Sequence, residues 1–514
     1  MNRTITIFIA ALCAGITASA QDATLCPAAL EMDKAGAVWF NSGNAAGIIL
    51  TPTASFEAVS VGYDIADGVY RRYSDGDTRT LSVNAEGASR LGKGRVWGEF
   101  SYENITLNNS KYNTVFLNMD DEMPFYVADD IESFWKKQRY EMSVKGATPL
   151  IMDRLAFGIE AGYFCESGAK QNDPRGYGFE YGLDVKPSAI FTSGKHTVGL
   201  TLSYENGNMR MSSINNALMS SHIVYVLKGL GNYEEYFVSL LSTSALGLIY
   251  DKKNEYGGAL QYGYHSEGAD VHVELYGKKR DWELYQTPSK PKRIGTAARM
   301  SLGGSVQTVL DGSDFLQRIT ADGHFNNTDG IEYLQKLNKD YEVQAWETVG
   351  QSVKSTYQRI EARLGYDIYK KRGVTFDWAA GADVTWNNLD DEYYLPSSTM
   401  KSGTVIAGAY GKKNFSLRKV SVIPGVSFGY KKNLGAEYKY GGTTPESPIV
   451  ADLFPNTVAW MAADHFKCGA EIEVSMPVFK SSMMFAKADW QLLKASGAMT
   501  DTRTIASATI GFIF

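Results

Sequence analysis

Groups able to do acid–base or metal chemistry are present in this chain but scattered. The six histidines are His196, His222, His265, His272, His324 and His465. No His-Glu-x-x-His pair sets two imidazoles on one helical face for zinc. There is no Gly-x-Ser-x-Gly nucleophile turn and no glycine-rich phosphate loop. An Asp–His hydrolase would need a partner such as Asp390 or Asp391 brought to His272, and no spacing joins them. The chain is therefore read as a non-enzyme with no cofactor and no metal site. Acidic runs at Asp120, Asp121, Glu122, Asp129, Asp130 and Glu132, and at Asp390, Asp391 and Glu392, could offer oxygens to a hard cation. Solvated loop surface is the commoner explanation of such runs.

The charges with a pattern are Arg95, Glu99, Arg139, Glu141, Arg359, Glu361, Arg363, Asp367, Asp377, Asp383, Glu471, Glu473, Lys487 and Asp489. Each alternates with apolar neighbours, as do Glu103, Lys145, Glu160, Glu274 and Lys278. Successive side chains of a strand point to opposite faces, so these charges share one face and the apolar residues the other. Arg359, Glu361, Arg363 and Asp367 interleave with Ile360, Ala362, Leu364, Tyr366 and Ile368. Unpaired buried charge costs several kcal/mol. So many charges on one face demand water or cross-strand partners, for example Arg359 with Asp383 or Glu473 with Lys487. Two readings are open: structural ladders filling a narrow interior, or the wall of a polar conduit.

The elements that must position these residues are long strands. Many match the ~9–11 residues that cross a membrane at a tilt, longer than the ~5–6 usual in soluble sheets. The expected fold is all-β: an antiparallel up-and-down transmembrane barrel of about eighteen strands, with fourteen to twenty possible. It occupies residues 54–514 and closes on the alternating segment Arg503 to Phe514. Connections switch between short and long, including long loops at 108–135, 211–254 and 389–402. That is the asymmetry of short periplasmic turns and long outer loops. The apolar stretch within 211–254 could be a folded loop or another strand pair. Trp378, Trp386, Trp490 and Tyr430 read as interfacial anchors.

Residues 1–20 read as a signal peptide, with a basic start, an apolar run and Ala18-Ser19-Ala20 before the cut. Residues 21–53 are expected to form a plug or hatch in the lumen. Three cysteines remain, Cys26, Cys165 and Cys468; an odd number without Cys-x-x-Cys reads as small apolar residues, with one disulfide the alternative. A net charge of −6 gives no basic stripe for nucleic acid. Outer-membrane lipid is the expected partner.

The stretch Val38-Trp39-Phe40-Asn41-Ser42-Gly43-Asn44-Ala45-Ala46-Gly47-Ile48 resembles the aromatic-x-Asn-Pro-Ala-Gly signature of FadL-type long-chain fatty-acid transporters. Asn44, Ala46 and Gly47 match, and Ala45 replaces the proline; with Asn41 they form the plug motif. The resemblance implies an N-terminal hatch, with the apolar part of 211–254 as a greasy entry site beside it. The whole chain is similar to an uncharacterised family of outer-membrane barrels of Bacteroidota type, on the signal peptide, the Trp39–Gly47 motif and the closing Gly511-Phe512-Ile513-Phe514. This implies location and fold and no activity, with a larger envelope transporter as a possible partner. The expected function is a channel or transporter for a small solute, hydrophobic ones included, in the bacterial outer membrane. A non-transporting scaffold or accessory barrel is the alternative.

Overall fold

The computed structural model describes residues 25–51, 55–117, 122–212, 214, 216, 220–239, 246–287, 290–340, 345–479 and 482–514. The expected signal peptide and the acidic pair Asp120–Asp121 lie outside the described residues. The chain begins with helix α1, Pro27–Gly36, and a 3-10 turn, Ala45–Leu50. The first strands are β1 Phe56–Asp67, β2 Asp77–Leu91, β3 Gly94–Ser110, β4 Phe125–Ala128 and β5 Ser133–Ala147. Next come β6 Leu155–Lys170, β7 Tyr177–Ser193, β8 His196–Met211, β9 His222–Lys228 and β10 Tyr233–Val238. Then follow β11 Leu248–Ser266, β12 Ala269–Thr287, β13 Lys292–Asp311, β14 Phe315–Leu337 and β15 Trp346–Arg372. The series continues with β16 Thr375–Tyr394, β17 Ser397–Lys413, its short continuation β18 Phe415–Leu417, and β19 Val420–Lys439. Helix α2, Phe454–Ala462, precedes β20 Asp464–Phe479, β21 Ser482–Ser496 and β22 Thr502–Ile513.

With β18 counted as part of β17, eighteen strands form one closed antiparallel barrel in chain order. The last strand closes on the first, from Ala58↔Ile513 to Asp67↔Thr504. Phe514 and Glu57 complete the seam: the Phe514 amide donates to the Glu57 carbonyl at 2.8 Å, and the Glu57 amide donates back at 3.3 Å. Closure leaves no edge strand, as a sheet in lipid requires.

The alternation sorts residues as expected. Val61, Leu81, Val144, Leu202, Leu260, Leu302, Leu364 and Ile510 are all exposed on the outer surface, an apolar exterior suited to lipid. Trp386, Trp490 and Tyr430 are also exposed there. Tight turns gather at one end, with Gly92 and Gly194 at positive φ (61° and 58°) in two-residue reversals. At the other end sit the long connections.

Two local expectations change, and one open alternative is decided. The segment 389–402 is not a loop: β16 and β17 pair as far as Tyr394↔Ser397. Asp390, Asp391 and Glu392 thus alternate along a strand instead of clustering for a cation. The apolar part of 211–254 is a folded loop, whose hairpin β9–β10 joins β4 in a separate three-stranded sheet. The register between β15 and β16 shifts at Lys370/Lys371, so Lys371 pairs with Phe376 after Lys370 pairs with Trp378. This bulge leaves Asp377 as the extra residue and turns Phe376 inward. Cys26, Cys165 and Cys468 are free thiols.

Candidate functional site in the barrel lumen

The N-terminal segment makes its contacts with side chains on the inner face. Pro27 starts α1, where its missing N–H is not needed. Two ion pairs fix α1 to the wall: Lys34 with Glu86 of β2 at 2.6 Å, and Glu31 with Lys412 of β17 at 2.6 Å. Asn44, fully buried, donates through Nδ2 to the Ala189 carbonyl (3.2 Å), the Leu200 carbonyl (3.3 Å) and Gln261 Oε1 (3.0 Å). The Ala46 amide donates to Ser188 Oγ at 3.0 Å, and the Gly43 amide to Glu274 Oε2 at 3.2 Å. Trp39 stacks edge-on against His272 with centroids 4.7 Å apart. A Cβ at Gly47 would stand 2.3 Å from the Trp39 ring, so only glycine lets the turn fold over the indole. Asn41 donates to the Lys34 and Ala37 carbonyls and holds the end of α1.

One strand records the order of the lumen. Along β14, alternate inward residues change partners from the turn end upward. Leu316 packs with Trp39 and α1. Arg318, Thr320 and Asp322 then line a cavity of about 490 Å³. Above them, Asn326 and Thr328 donate to Glu122 of the β3–β5 connection at 2.9 and 3.4 Å. The cavity therefore lies between the N-terminal segment and an outer loop, with Asn41 in its wall. A second space of about 200 Å³ shares Asn41, Gln307, Thr320 and Asp322 with it and reaches His272 and Glu274. The lining is polar and carries both signs.

Most expected ladder charges meet near neighbours. Arg139 pairs with Glu141, and Arg359 with Glu361 at 2.9 Å. Arg363 lies 3.8 Å from Asp383. Asp367 accepts from Arg318 at 2.7 Å and from the Tyr410 hydroxyl at 2.8 Å. Lys487 is opposite Glu473 in register, yet its Nζ meets the diagonal Glu471 at 2.8 Å. Glu99 pairs in register with Glu86, and Asp489 accepts from Gln491 at 3.1 Å. Glu160 sits between Lys145 (3.4 Å) and Lys186 (2.8 Å). Arg95, buried at the turn end, donates to the Thr51 carbonyl. Asp377 does not join the ladder. The bulge sends its carboxylate to Lys413 (2.7 Å) and Arg372 (3.3 Å), while neighbouring Lys412 reaches inward. The expected Arg359–Asp383 pair does not form either, because the register sets Arg359 opposite Leu389 and Asp383 opposite Gly365, six residues further along β15.

The loop end is filled by its own apolar cluster. Phe125 and Val127 of β4 and Val224, Val226 and Leu227 of β9 pack with Leu453 and Phe454 and with Ile249 and Leu284 of the wall. A fully buried ion pair, Lys170 with Asp129 at 2.7 Å, ties the β3–β5 loop to β6. Thr114 Oγ1 also donates to Asp129 at 2.5 Å. Burial would raise the Asp75 and Glu234 carboxyl pKa values; hydrogen bonds and charge from Arg71 and Lys228, respectively, outweigh it and hold both below the ordinary range. Burial pushes the Tyr126 hydroxyl well up. This cluster and the one around residues 26–50 are separate. Among the described residues, the apolar connection therefore forms no greasy entry site beside the N-terminal segment.

A model of a family of unknown function matches residues 45–514. This chain belongs to the DUF6850 family. No curated protein matches it. Among solved structures, the DUF6850 chain is similar to the ferric citrate transporter FecA in its unliganded form, at 8% identity and a TM-score of 0.41, over 90% of this chain and 79% of that one. It is similar to the Pseudomonas putida toluene transporter TodX, at 8% identity and 0.30, over 92% of each chain. The ferric yersiniabactin uptake receptor FyuA from Yersinia pestis gives 8% identity and 0.38, over 90% and 80%. The barrel of this DUF6850 member is established by its closed register.

The histidines make separate contacts. His272 is in the lumen, His265 pairs with Asp270 at a turn, His196 meets Tyr262, and His465 meets the Trp460 carbonyl. Among the described residues no three metal-capable side chains group around a common point. Sequence reasoning passed over Arg318, Thr320 and Asp322, although they alternate with Ile319 and Ala321 and could have been found by phase alone. Gln261 and Ser188, which receive the N-terminal segment, carry no local signal.

Proposed function

We propose that this protein is an outer-membrane channel or transporter for a small polar solute, with the N-terminal segment, described over residues 25–51, occluding the lumen from the periplasmic side. The observation carrying this reading is the order along β14: N-terminal segment, polar cavity, inserted outer loop. An apolar exterior around a two-signed, hydrogen-bonding interior supports lipid outside and water-borne cargo inside. The cavity wall, with Asn41, Gln307, Asp322 and Arg363, favours a hydroxyl- or amine-bearing solute over a hydrocarbon. The turn end is assigned to the periplasm, because short turns occupy that side of bacterial barrels.

Planar-bilayer recording tests this. The full mature chain should conduct weakly, and a variant lacking residues 21–53 should open a steady pore. Equal currents from the two forms would remove the occluding role. No current from either would favour an accessory barrel that carries nothing.

A further inference from the structure

At the turn end, a pocket of about 310 Å³ opens between the tail of the N-terminal segment and the β2–β3 hairpin, lined by Ile49, Thr51, Arg90, Lys93 and Arg95 together with Gly92 and Gly94. Two features of its wall favour an anion. Arg90 and Arg95 are directly opposed in the β2–β3 register. Directly paired residues of an antiparallel ladder have Cβ atoms about 4.5–5.5 Å apart, and like charges there destabilise the hairpin. Lys93 adds a third cation in the turn between them. Arg90 and Lys93 form no ion pair among the described residues, and Asp33 of α1 is a carboxylate whose charge reaches Arg95. Second, Thr51 is 5% exposed and its Oγ1 is buried without a hydrogen-bond partner. A buried hydroxyl left unpaired is normally completed by water, an ion or a ligand.

We infer that this pocket binds a small oxyanion of the phosphate type. One tetrahedral anion between Arg90, Lys93 and Arg95 would offset the like-charge opposition and accept from the Thr51 hydroxyl. Planar guanidinium groups favour phosphoryl oxygens over a monatomic anion such as chloride. Arg95 already donates to the Thr51 carbonyl, so the bound anion would fasten the end of the N-terminal segment to the hairpin. The same chemistry could come from a free oxyanion or from a phospholipid headgroup reaching the rim. The site is independent of whether the barrel conducts.

The test is isothermal titration of inorganic phosphate into the full mature chain in a neutral maltoside detergent. Saturable binding is expected, with no comparable heat from chloride at matched ionic strength. The double variant Arg90→Gln/Lys93→Gln should weaken binding by about tenfold or more, and Thr51→Val should weaken it less without changing charge. Heat-modifiable migration on gels confirms that each variant is a folded barrel. Repeating the titration with dioleoylphosphatidylglycerol in the micelle identifies the source: competition marks a lipid phosphate, and undisturbed binding marks a free oxyanion. Absent phosphate heat, equal heat from chloride, or unchanged affinity in the folded double variant would overturn the inference.

Discussion

Asn44 and Gln261 lie 217 residues apart in sequence, yet the Asn44 Nδ2 donates to Gln261 Oε1 at 3.0 Å inside the barrel. The same nitrogen also faces the carbonyls of Ala189 and Leu200. One side-chain amide thus ties the N-terminal segment to β7, β8 and β11. Three acceptors around one donor make its chemistry testable.

Asn44→Asp places a carboxylate against three oxygens. Loss of the donor leaves buried acceptors unpaired, on the order of 1–3 kcal/mol, before charge repulsion is added. Amides of residues 45–50 should lose hydrogen-exchange protection while β7 and β8 keep theirs. Unchanged protection would show that Asn44 does not hold the segment.

Gly158 of β6 faces the segment backbone: a Cβ there would stand 2.2 Å from the Ala46 nitrogen. No flexible side-chain end is available to yield, so Gly158→Val should displace residues 44–48 and leave the barrel intact. Limited proteolysis, with cleavage appearing inside residues 25–51 and a barrel of normal gel mobility, is the readout.

At the loop end, Lys170 and Asp129 are both fully buried. Lys170→Met strands the carboxylate and should cost about 3–5 kcal/mol of loop stability. The double variant Lys170→Met/Asp129→Leu should recover most of that loss. Thermal melting of the two variants separates the pair from simple packing.

Glu122 holds the β3–β5 loop against the far wall, 3.4 Å from Arg299, with its own φ at +61°. That left-handed conformation is unfavourable for glutamate. Glu122→Ala removes the attachment and should raise spin-label mobility at neighbouring Met123. An unchanged spectrum would show that the apolar cluster alone seats the loop.

Acid should loosen the outer connections. Asp75 and Glu234 have folded-state pKa values below the ordinary range, so each contributes stability above the unfolded value of about 4. That contribution is lost as pH falls through the lowered folded value. Hydrogen exchange around residues 71–75 and 228–236 should be flat from pH 7 to about 5 and rise below about 4, once corrected for intrinsic rates.

The eighteen strands could be read from sequence because a period of two is a local property: Ile360, Leu364 and Tyr366 turn outward and Glu361, Arg363 and Asp367 inward whatever lies elsewhere. The same alternation misplaced Asp377, since the bulge between β15 and β16 depends on how two strands align. Asn44, Ala46 and Gly47 were singled out from a short motif, but their seats at Gln261, Ser188 and the Trp39 indole required the barrel to close first. Which charges pair was likewise a tertiary decision. The strand register set Asp383 opposite Gly365, far from Arg359, which pairs with Glu361 instead, and side-chain reach selected Glu471 over Glu473 for Lys487. Sequence alone determined a two-faced barrel wall, because backbone pleating obliges it. The contents of the lumen, with the N-terminal segment below, the outer loop above and a polar space between, were decided only by contacts between residues far apart in the chain.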